Sequence, residues 1–230
     1  MSRSLFTSRN GGVSRAPYES FNLALHVGDD ATNVHQNRQI LAQQFGFPLE
    51  SFHFMNQVHG ADIAIIDGDS NPHEVPTVDA LFTSTPGKVL VTLIADCIPL
   101  LLRSPTAVAA VHVGRQGLVR GAFESALKEF QLRDIAPSEI QAELGPSICG
   151  QCYEVDESMH RDVTHHIPAT SMKTRPQSTC LNIESGLISK LEGAGIRWKS
   201  SGLCTMHDPG FFSYRRDGVT GRQAGILVLE

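Results

Sequence analysis

The sequence predicts a mixed α/β single domain, and three observations predict it. Short β-branched apolar runs alternate with stretches of helical period along the whole chain. The alternation keeps no strict strand–helix–strand rhythm, so mixed sheets with packed helices are expected, and the strand order is not derivable from it. The chain is 230 residues long, the size of one large domain, and no repeat, low-complexity tract or charge block divides it. Residues 1–230 are therefore read as one domain, large enough to bury a core without disulfide staples.

The elements follow in order. Asp30 precedes ATNVHQNRQILAQQFG, with Gly46 and Pro48 beyond; an N-cap acceptor in front and a helix stop behind predict a helix of about three turns. Between residues 52 and 66, SFHFM and ADIAIID read as β-like runs around the polar break Asn56-Gln57-Val58-His59-Gly60. SNPHEVPT (70–77) is a turn-rich loop. VLVTLIADCIPLLL (89–102) is almost unbroken apolar, which predicts a buried strand ending at Ala95-Asp96-Cys97 and a second short element after Pro99. TAVAAVHV (106–113) predicts another buried strand, stopped at Gly114. From Gly117 to about Gln131 the pattern is that of one amphipathic helix. EIQAEL (139–144) reads as a strand. Helices near 156–165 and 182–193, a strand at 196–198 and a terminal strand Ala224–Leu229 complete the prediction.

Composition narrows the function. With 19 Lys+Arg against 24 Asp+Glu the net charge is −5, which disfavours a nucleic-acid coat or a polybasic membrane anchor. No apolar run approaches the ~20 residues that span a bilayer, and MSRSLFTSRNGG has no apolar core behind its charge. The expectation is a soluble, cytoplasmic protein. Five cysteines, an odd count, fit a reducing compartment and leave at least one thiol free for metal or nucleophile chemistry.

Three polar groups sit where apolar strands break off: His59 after Asn56-Gln57-Val58, Cys97 beside Asp96, and His112 just before Gly114. Ends of buried strands are common ligand sites in open α/β sheets. Each residue alone is ordinary, a small core thiol or a hydrogen-bonded histidine, and the spacings match no compact zinc motif. Together, one Cys and two His make a set that suits Zn²⁺ with an open fourth position, and copper would accept it too. Cys149-Gly150-Gln151-Cys152 is a lone CxxC after a turn-like stretch and reads as an incidental pair in a structured loop. His165-His166 reads as surface. Two arginine-bearing loops, Arg9-Asn10-Gly11-Gly12 and Ser213–Arg222, present guanidinium forks with backbone donors, suited to phosphate or carboxylate. Neither is a P-loop or a dinucleotide fingerprint.

FTSRNGGVS, FNLALHVGDD, NQVHGADI, VDALFTS, ADCIPLLL, AVAAVHVG, LGPSICGQCYEV and FFSYRRDGVTGRQAGIL occur in this order from residue 6 to residue 227. The chain thereby resembles the laccase-domain family, once called multicopper polyphenol oxidases, now regarded as purine nucleoside phosphorylases and related to peptidoglycan editing factors. The resemblance implies a single α/β domain that binds zinc, with copper as a possible alternative, through His59, Cys97 and His112. It implies phosphorolysis of adenosine, inosine and methylthioadenosine, with adenosine deamination as a further activity and purine nucleoside and phosphate as the partners. No nucleic acid or membrane partner is implied, and the oligomeric state is open. Within that frame, His59, Cys97, His112 and Asp96 are the candidate catalytic residues, Asp96 as a proton-shuttling carboxylate or an orienter of a ligand. Arg9, Gly12, His26, Arg215 and Arg222 are the candidate substrate-binding residues. One departure stands out: where the family carries HAGWRG, this chain has His112-Val113-Gly114-Arg115-Gln116-Gly117, which replaces an aromatic and shifts a cation. Alternatives are a hydrolase editing cell-wall peptidoglycan precursors, a copper-dependent polyphenol oxidase, and a non-catalytic binding module.

Overall fold

The computed structural model describes residues 1–172 and 179–230. Its strands are β1 (Ser2–Phe6), β2 (Phe52–His53), β3 (Ile63–Ile65), β4 (Ala80–Thr83), β5 (Val89–Ile94), β6 (Ile98–Arg103), β7 (Val108–Val113), β8 (Gln141–Leu144), β9 (Ser171–Met172), β10 (Cys180–Leu181), β11 (Arg197–Ser200) and β12 (Gln223–Leu229). Its α-helices are α1 (Ala31–Phe45), α2 (Arg115–Arg120), α3 (Ala122–Gln131), α4 (Glu157–His166), α5 (Ile183–Gly193) and the single turn α6 (Tyr214–Asp217). A four-stranded sheet runs β1-β12-β5-β2 and a six-stranded sheet β11-β8-β6-β7-β4-β3, while β9 and β10 form a small ribbon. Both large sheets are mixed: β2–β5, β3–β4 and β8–β11 pair parallel, the other neighbours antiparallel.

The unbroken apolar runs have a simple cause. The two sheets pack face to face, so Leu90 of β5, Leu101 of β6, Ala110 of β7 and Leu227 of β12 meet between them. The alternate residues point outward but are covered as well. Val89, Val91, Ile226 and Val228 meet Leu41 and Phe45 of α1. Leu100, Leu102, Ala109 and Val111 share a core with Phe123 and Phe130 of α3 and Leu187 and Leu191 of α5. Helix, sheet, sheet and helix thus form four layers, and the central strands lose the polar face that would give them period two. Each fully buried Leu, Ile or Phe contributes roughly 2 kcal/mol.

Helix α1 matches its predicted caps: the Asp30 side chain accepts from Thr32 N at 2.8 Å, and Gly46 closes the helix at φ 77°. Asp156 caps α4 and Asn182 caps α5 in the same way. The helix predicted from Gly117 to Gln131 is two helices, because Gly121 adopts φ 93° between α2 and α3; a left-handed residue ends one helix and redirects the chain into the next. Strands β1, β4, β9 and β10 and the turn α6 were not predicted. β1 is an edge strand of alternating half-burial, and β4 is too short, at four residues, to show a period. Among the described residues no helix is long and apolar enough to cross a membrane.

One connection fixes the site. β5 belongs to the four-stranded sheet and β6 to the six-stranded sheet, so the turn Ala95-Asp96-Cys97 carries the chain from one sheet to the other at their shared end.

Candidate metal centre in an arginine-lined cleft

Cys97 stands on that crossover turn. Its neighbour Asp96 takes φ 100°, a conformation costly for a side-chain-bearing residue and held here by contacts on both sides. Asp96 accepts from the Thr205 hydroxyl and from Arg215 N, each at 2.7 Å, and its carbonyl accepts from Ile148 N at 2.9 Å. His112 comes from β7, paired across to Pro99 of β6. His59 comes from the loop between β2 and β3, which lies against the end of β5 because the Gln57 amide donates to Leu93 O at 2.7 Å and accepts from Leu93 N at 2.8 Å.

Asp79, which sequence reasoning missed, ties the two histidines together. Its fully buried carboxylate accepts from the backbone N–H groups of Val58, His59 and Gly60 at 3.1, 3.0 and 2.6 Å. It also lies 2.7 Å from His112 Nδ1. An ionised carboxylate only accepts, so Nδ1 carries the proton and Nε2 is left for a ligand. The same carboxylate holds His59 in its left-handed turn at φ 58°. The available signal was the VDALFTS motif, in which a single acidic residue precedes an apolar strand.

The ligand atoms of His59, Cys97 and His112 all lie within 4.8 Å of one another, and the two imidazole rings meet edge-on with centroids 4.8 Å apart. Gly114 makes the cluster possible: a Cβ there would lie 2.8 Å from His59 Nδ1 and 2.9 Å from Cys97 Sγ. Burial alone would raise the Cys97 pKa, but the charge and hydrogen bond of His112, with those of His59, outweigh it and bring it down to about 6. For His112 burial works downward, and the Cys97 thiolate and Asp79 overcome it, raising the pKa to about 9. Burial also pushes Asp79 up, yet the bonds from His112 and the Gly60 N–H leave it below the usual carboxylate range. A thiolate beside His59 and a His112 that gives up its Nε2 proton when an ion binds is a borderline-soft donor set, and it fits zinc or copper with a position left open. A buried carboxylate behind a metal-facing histidine is the usual orienting partner.

The cluster forms the wall of a cleft of about 430 Å³. Arg115, Arg215, Arg222, His26, Tyr153 and Tyr214 line it too. Arg215 stacks over the Tyr153 ring at 5.0 Å and donates to Glu154 O at 2.7 Å. Arg222 is fixed by donation to Thr220 O at 3.0 Å and Gly221 O at 2.9 Å. Burial, then Arg222 and Arg38, lower the His26 pKa.

The structure brings His59, Cys97, His112, Asp96, His26, Arg215 and Arg222 to one cleft and places Arg9 and Gly12 elsewhere. Arg9 donates to Glu19 O at 2.8 Å and lies over the Phe212 ring at 4.9 Å, so its guanidinium knits two loops together. Gly12 is a packing glycine, since a Cβ there would lie 2.3 Å from Ser20 O. Both oxygens of Asp96 hold neighbouring chain, which makes it a positioning residue in this geometry. Arg115 faces the cleft, so the departure at HVGRQG puts a cation on its wall. His165 and His166 are exposed at the end of α4. The Cys149–Cys152 pair corrects the expectation of an incidental CxxC: Cys204 and His207 converge on it, all four donor atoms within 4.8 Å of one another. The signal missed was Cys204-Thr205-Met206-His207, which repeats the same two-residue spacing.

Fold and site together define a class, that of layered mixed α/β proteins with a three-donor Cys/His cluster at the crossover between two sheets. The chain belongs to the multi-copper polyphenol oxidoreductase laccase family, whose model matches residues 3–230. A Streptomyces coelicolor protein named purine nucleoside phosphorylase SCO2081 is 41% identical over 228 residues, 98% of this chain and 94% of its own. A Corynebacterium glutamicum protein, also named a purine nucleoside phosphorylase, is 40% identical over 99% of this chain and 94% of its own. Among solved structures, YlmD from Geobacillus stearothermophilus superposes with a TM-score of 0.91 at 34% identity, covering 99% of this chain and 91% of its own. The Bacillus licheniformis hypothetical protein YfiH reaches 0.94 at 28% identity, covering 100% and 93%.

Proposed function

We propose that this protein is a purine nucleoside phosphorylase whose reaction takes place in the cleft beside His59, Cys97 and His112. The observation that carries the proposal is the convergence, in one nucleoside-sized cleft, of a three-donor Cys/His cluster with Arg115, Arg215 and Arg222. Relatives named purine nucleoside phosphorylase, at 34–41% identity over nearly the whole chain, support it.

Phosphorolysis needs an anion held against one face of the ribose while the purine departs through an oxocarbenium-like transition state. Arg215 and Arg222 are anchored by backbone carbonyls, so their remaining N–H groups meet phosphate without further ordering. Arg115 adds a third cation on the same wall. Tyr153 and Tyr214 offer aromatic faces for the base, and His26 offers a hydrogen bond to base or ribose. Asp96 holds Arg215 by its backbone N–H and so sets where that cation stands. His59, Cys97 and His112 would hold zinc, with copper as an alternative of the same donor chemistry. When bound, the ion supplies a Lewis acid at the cleft wall, the property that a second activity, adenosine deamination, also requires. Adenosine, inosine and methylthioadenosine are the proposed substrates, and a cytoplasmic location accords with them.

Turnover of adenosine and methylthioadenosine by zinc-loaded protein, with and without phosphate, tests the proposal. Phosphate-dependent release of free purine that falls at least ~10³-fold in Cys97→Ala is the expected result. Turnover and metal content both unchanged in Cys97→Ala would overturn it.

A further inference from the structure

The four donors at 149–207 lie outside the cleft chemistry and have an arrangement of their own. Cys149-Gly150-Gln151-Cys152 closes as a tight turn, with Cys152 N and Tyr153 N donating to Cys149 O at 3.0 and 3.1 Å. Cys204-Thr205-Met206-His207 closes likewise, with Asp208 N donating to Cys204 O at 2.9 Å. Each turn puts residues i and i+3 on one side. The two turns are then joined: Ser147 bridges Cys204 in parallel, Ser147 N donates to Leu203 O at 3.1 Å, and Thr205 N donates to Ser147 O at 3.1 Å. Cys149 N donates to Cys204 Sγ at 3.3 Å, and Cys152 Sγ lies 2.9 Å from His207 Nε2.

We propose that Cys149, Cys152, Cys204 and His207 form a second metal site, holding one structural Zn²⁺ that joins the two loops framing the cleft. Donors around a tetrahedral zinc at ~2.3 Å would lie ~3.8 Å apart, and these four are all within 4.8 Å of one another. Three thiols and one imidazole exclude hard cations such as Mg²⁺ or Ca²⁺ and fit the Cys₃His set of closed zinc sites. Four protein donors leave no open position for water or substrate, so the site binds and does not catalyse. Binding releases the thiol protons and leaves three thiolates and a neutral imidazole around the ion. The position explains the use: one loop supplies Ile148 and Tyr153 to the cleft, the other leads into α6, which supplies Tyr214 and Arg215, and Asp96 binds both segments through Ile148 N, Thr205 and Arg215 N.

The test is metal stoichiometry by mass spectrometry on protein purified with zinc and without added thiol reagents. Wild type is expected to hold two equivalents, and Cys97→Ala one. The double variant Cys152→Ser/Cys204→Ser is expected to hold one, with a lowered unfolding midpoint. Because that double variant is at risk of not folding, Cys97→Ala loaded with Co²⁺ supplies an independent readout: strong thiolate-to-metal charge-transfer absorption from three sulfurs. At most one equivalent in wild type, all of it lost in Cys97→Ala, overturns the proposal. So does an intact mass showing a disulfide within Cys149, Cys152 and Cys204, or a Cys97→Ala cobalt spectrum without that absorption. Because Cys97→Ala abolishes the proposed catalysis and leaves this cluster intact, the two proposals fail separately.

Discussion

As proposed, the His59–Cys97–His112 centre takes its donors from three distant segments and keeps a position open, whereas the 149–207 site takes four donors from two short turns and closes. The first is assembled by the packing of two sheets, since β5, β6 and β7 must meet before Cys97 and His112 can. It also needs a buried carboxylate, Asp79, to aim both histidines. The second needs only that two loops come together, because each C-x-x-C or C-x-x-H turn orients its own pair. An open site demands outside support for each ligand; a closed one is largely self-orienting. The same contrast separates single histidines. His112 and His53 are both buried, at 3% and 2% exposure, yet partners raise the first while burial, then Lys88, lowers the second to about 4. Partners decide the direction of the shift.

The sharpest way to break the contrast is Gly114→Ala. It deletes no ligand, but its Cβ would lie within 3 Å of both His59 Nδ1 and Cys97 Sγ. Loss of one metal equivalent and roughly 10³-fold lower turnover are expected, with the 149–207 cluster still occupied in a metal assay. Next in size is Asp79→Asn, which keeps the shape but removes the charge facing four N–H groups. Metal affinity of the first centre should fall roughly 10–100-fold, measured by competition with a chromophoric chelator, and the second cluster should be unaffected. Arg222→Ala should raise the apparent KM for phosphate roughly tenfold, the loss of one charge-assisted hydrogen bond at ~1.4 kcal/mol; steady-state kinetics against phosphate reads it, with metal content unchanged.

The smallest effect on turnover concerns His53, in neither cluster, whose buried Nε2 has no hydrogen-bond partner among the described residues. Its folded pKa lies near 4 against 6.5 unfolded, so as the pH falls the unfolded chain takes the proton first. Its presence leaves stability undiminished above pH 6.5 and lowers it progressively between about 6.5 and 4. His53→Leu should flatten that part of the pH dependence by about 1–2 kcal/mol in denaturant unfolding, with turnover at neutral pH unaltered.

Much of this was legible in residue order. The caps of α1, the buried runs that became β5, β6 and β7, and the family motifs that single out His59, Cys97 and His112 depend on neighbours within a few positions. The error at Gly121 is of the opposite kind: the apolar period runs on through it, and only the packing of α2 and α3 against β7 shows that the chain turns there. Arg9 and Arg215 looked alike as sequence, each a cation in a glycine-containing loop. Their side chains part because Arg9 meets Glu19 O and Phe212, while the Arg215 guanidinium meets Glu154 O and the Tyr153 ring at the cleft, its backbone N–H held by Asp96.

By itself the sequence determined the mixed α/β class and the family, and it singled out His59, Cys97 and His112 as a candidate ligand set, because hydrophobic period, capping chemistry and ordered motifs are local. Only the tertiary structure decided that Asp79 aims two histidines, that Arg115, Arg215 and Arg222 share one cleft, and that a lone CxxC has a matching partner at 204–207. Those are contacts between residues far apart in the chain, and they form only once two sheets have closed against each other.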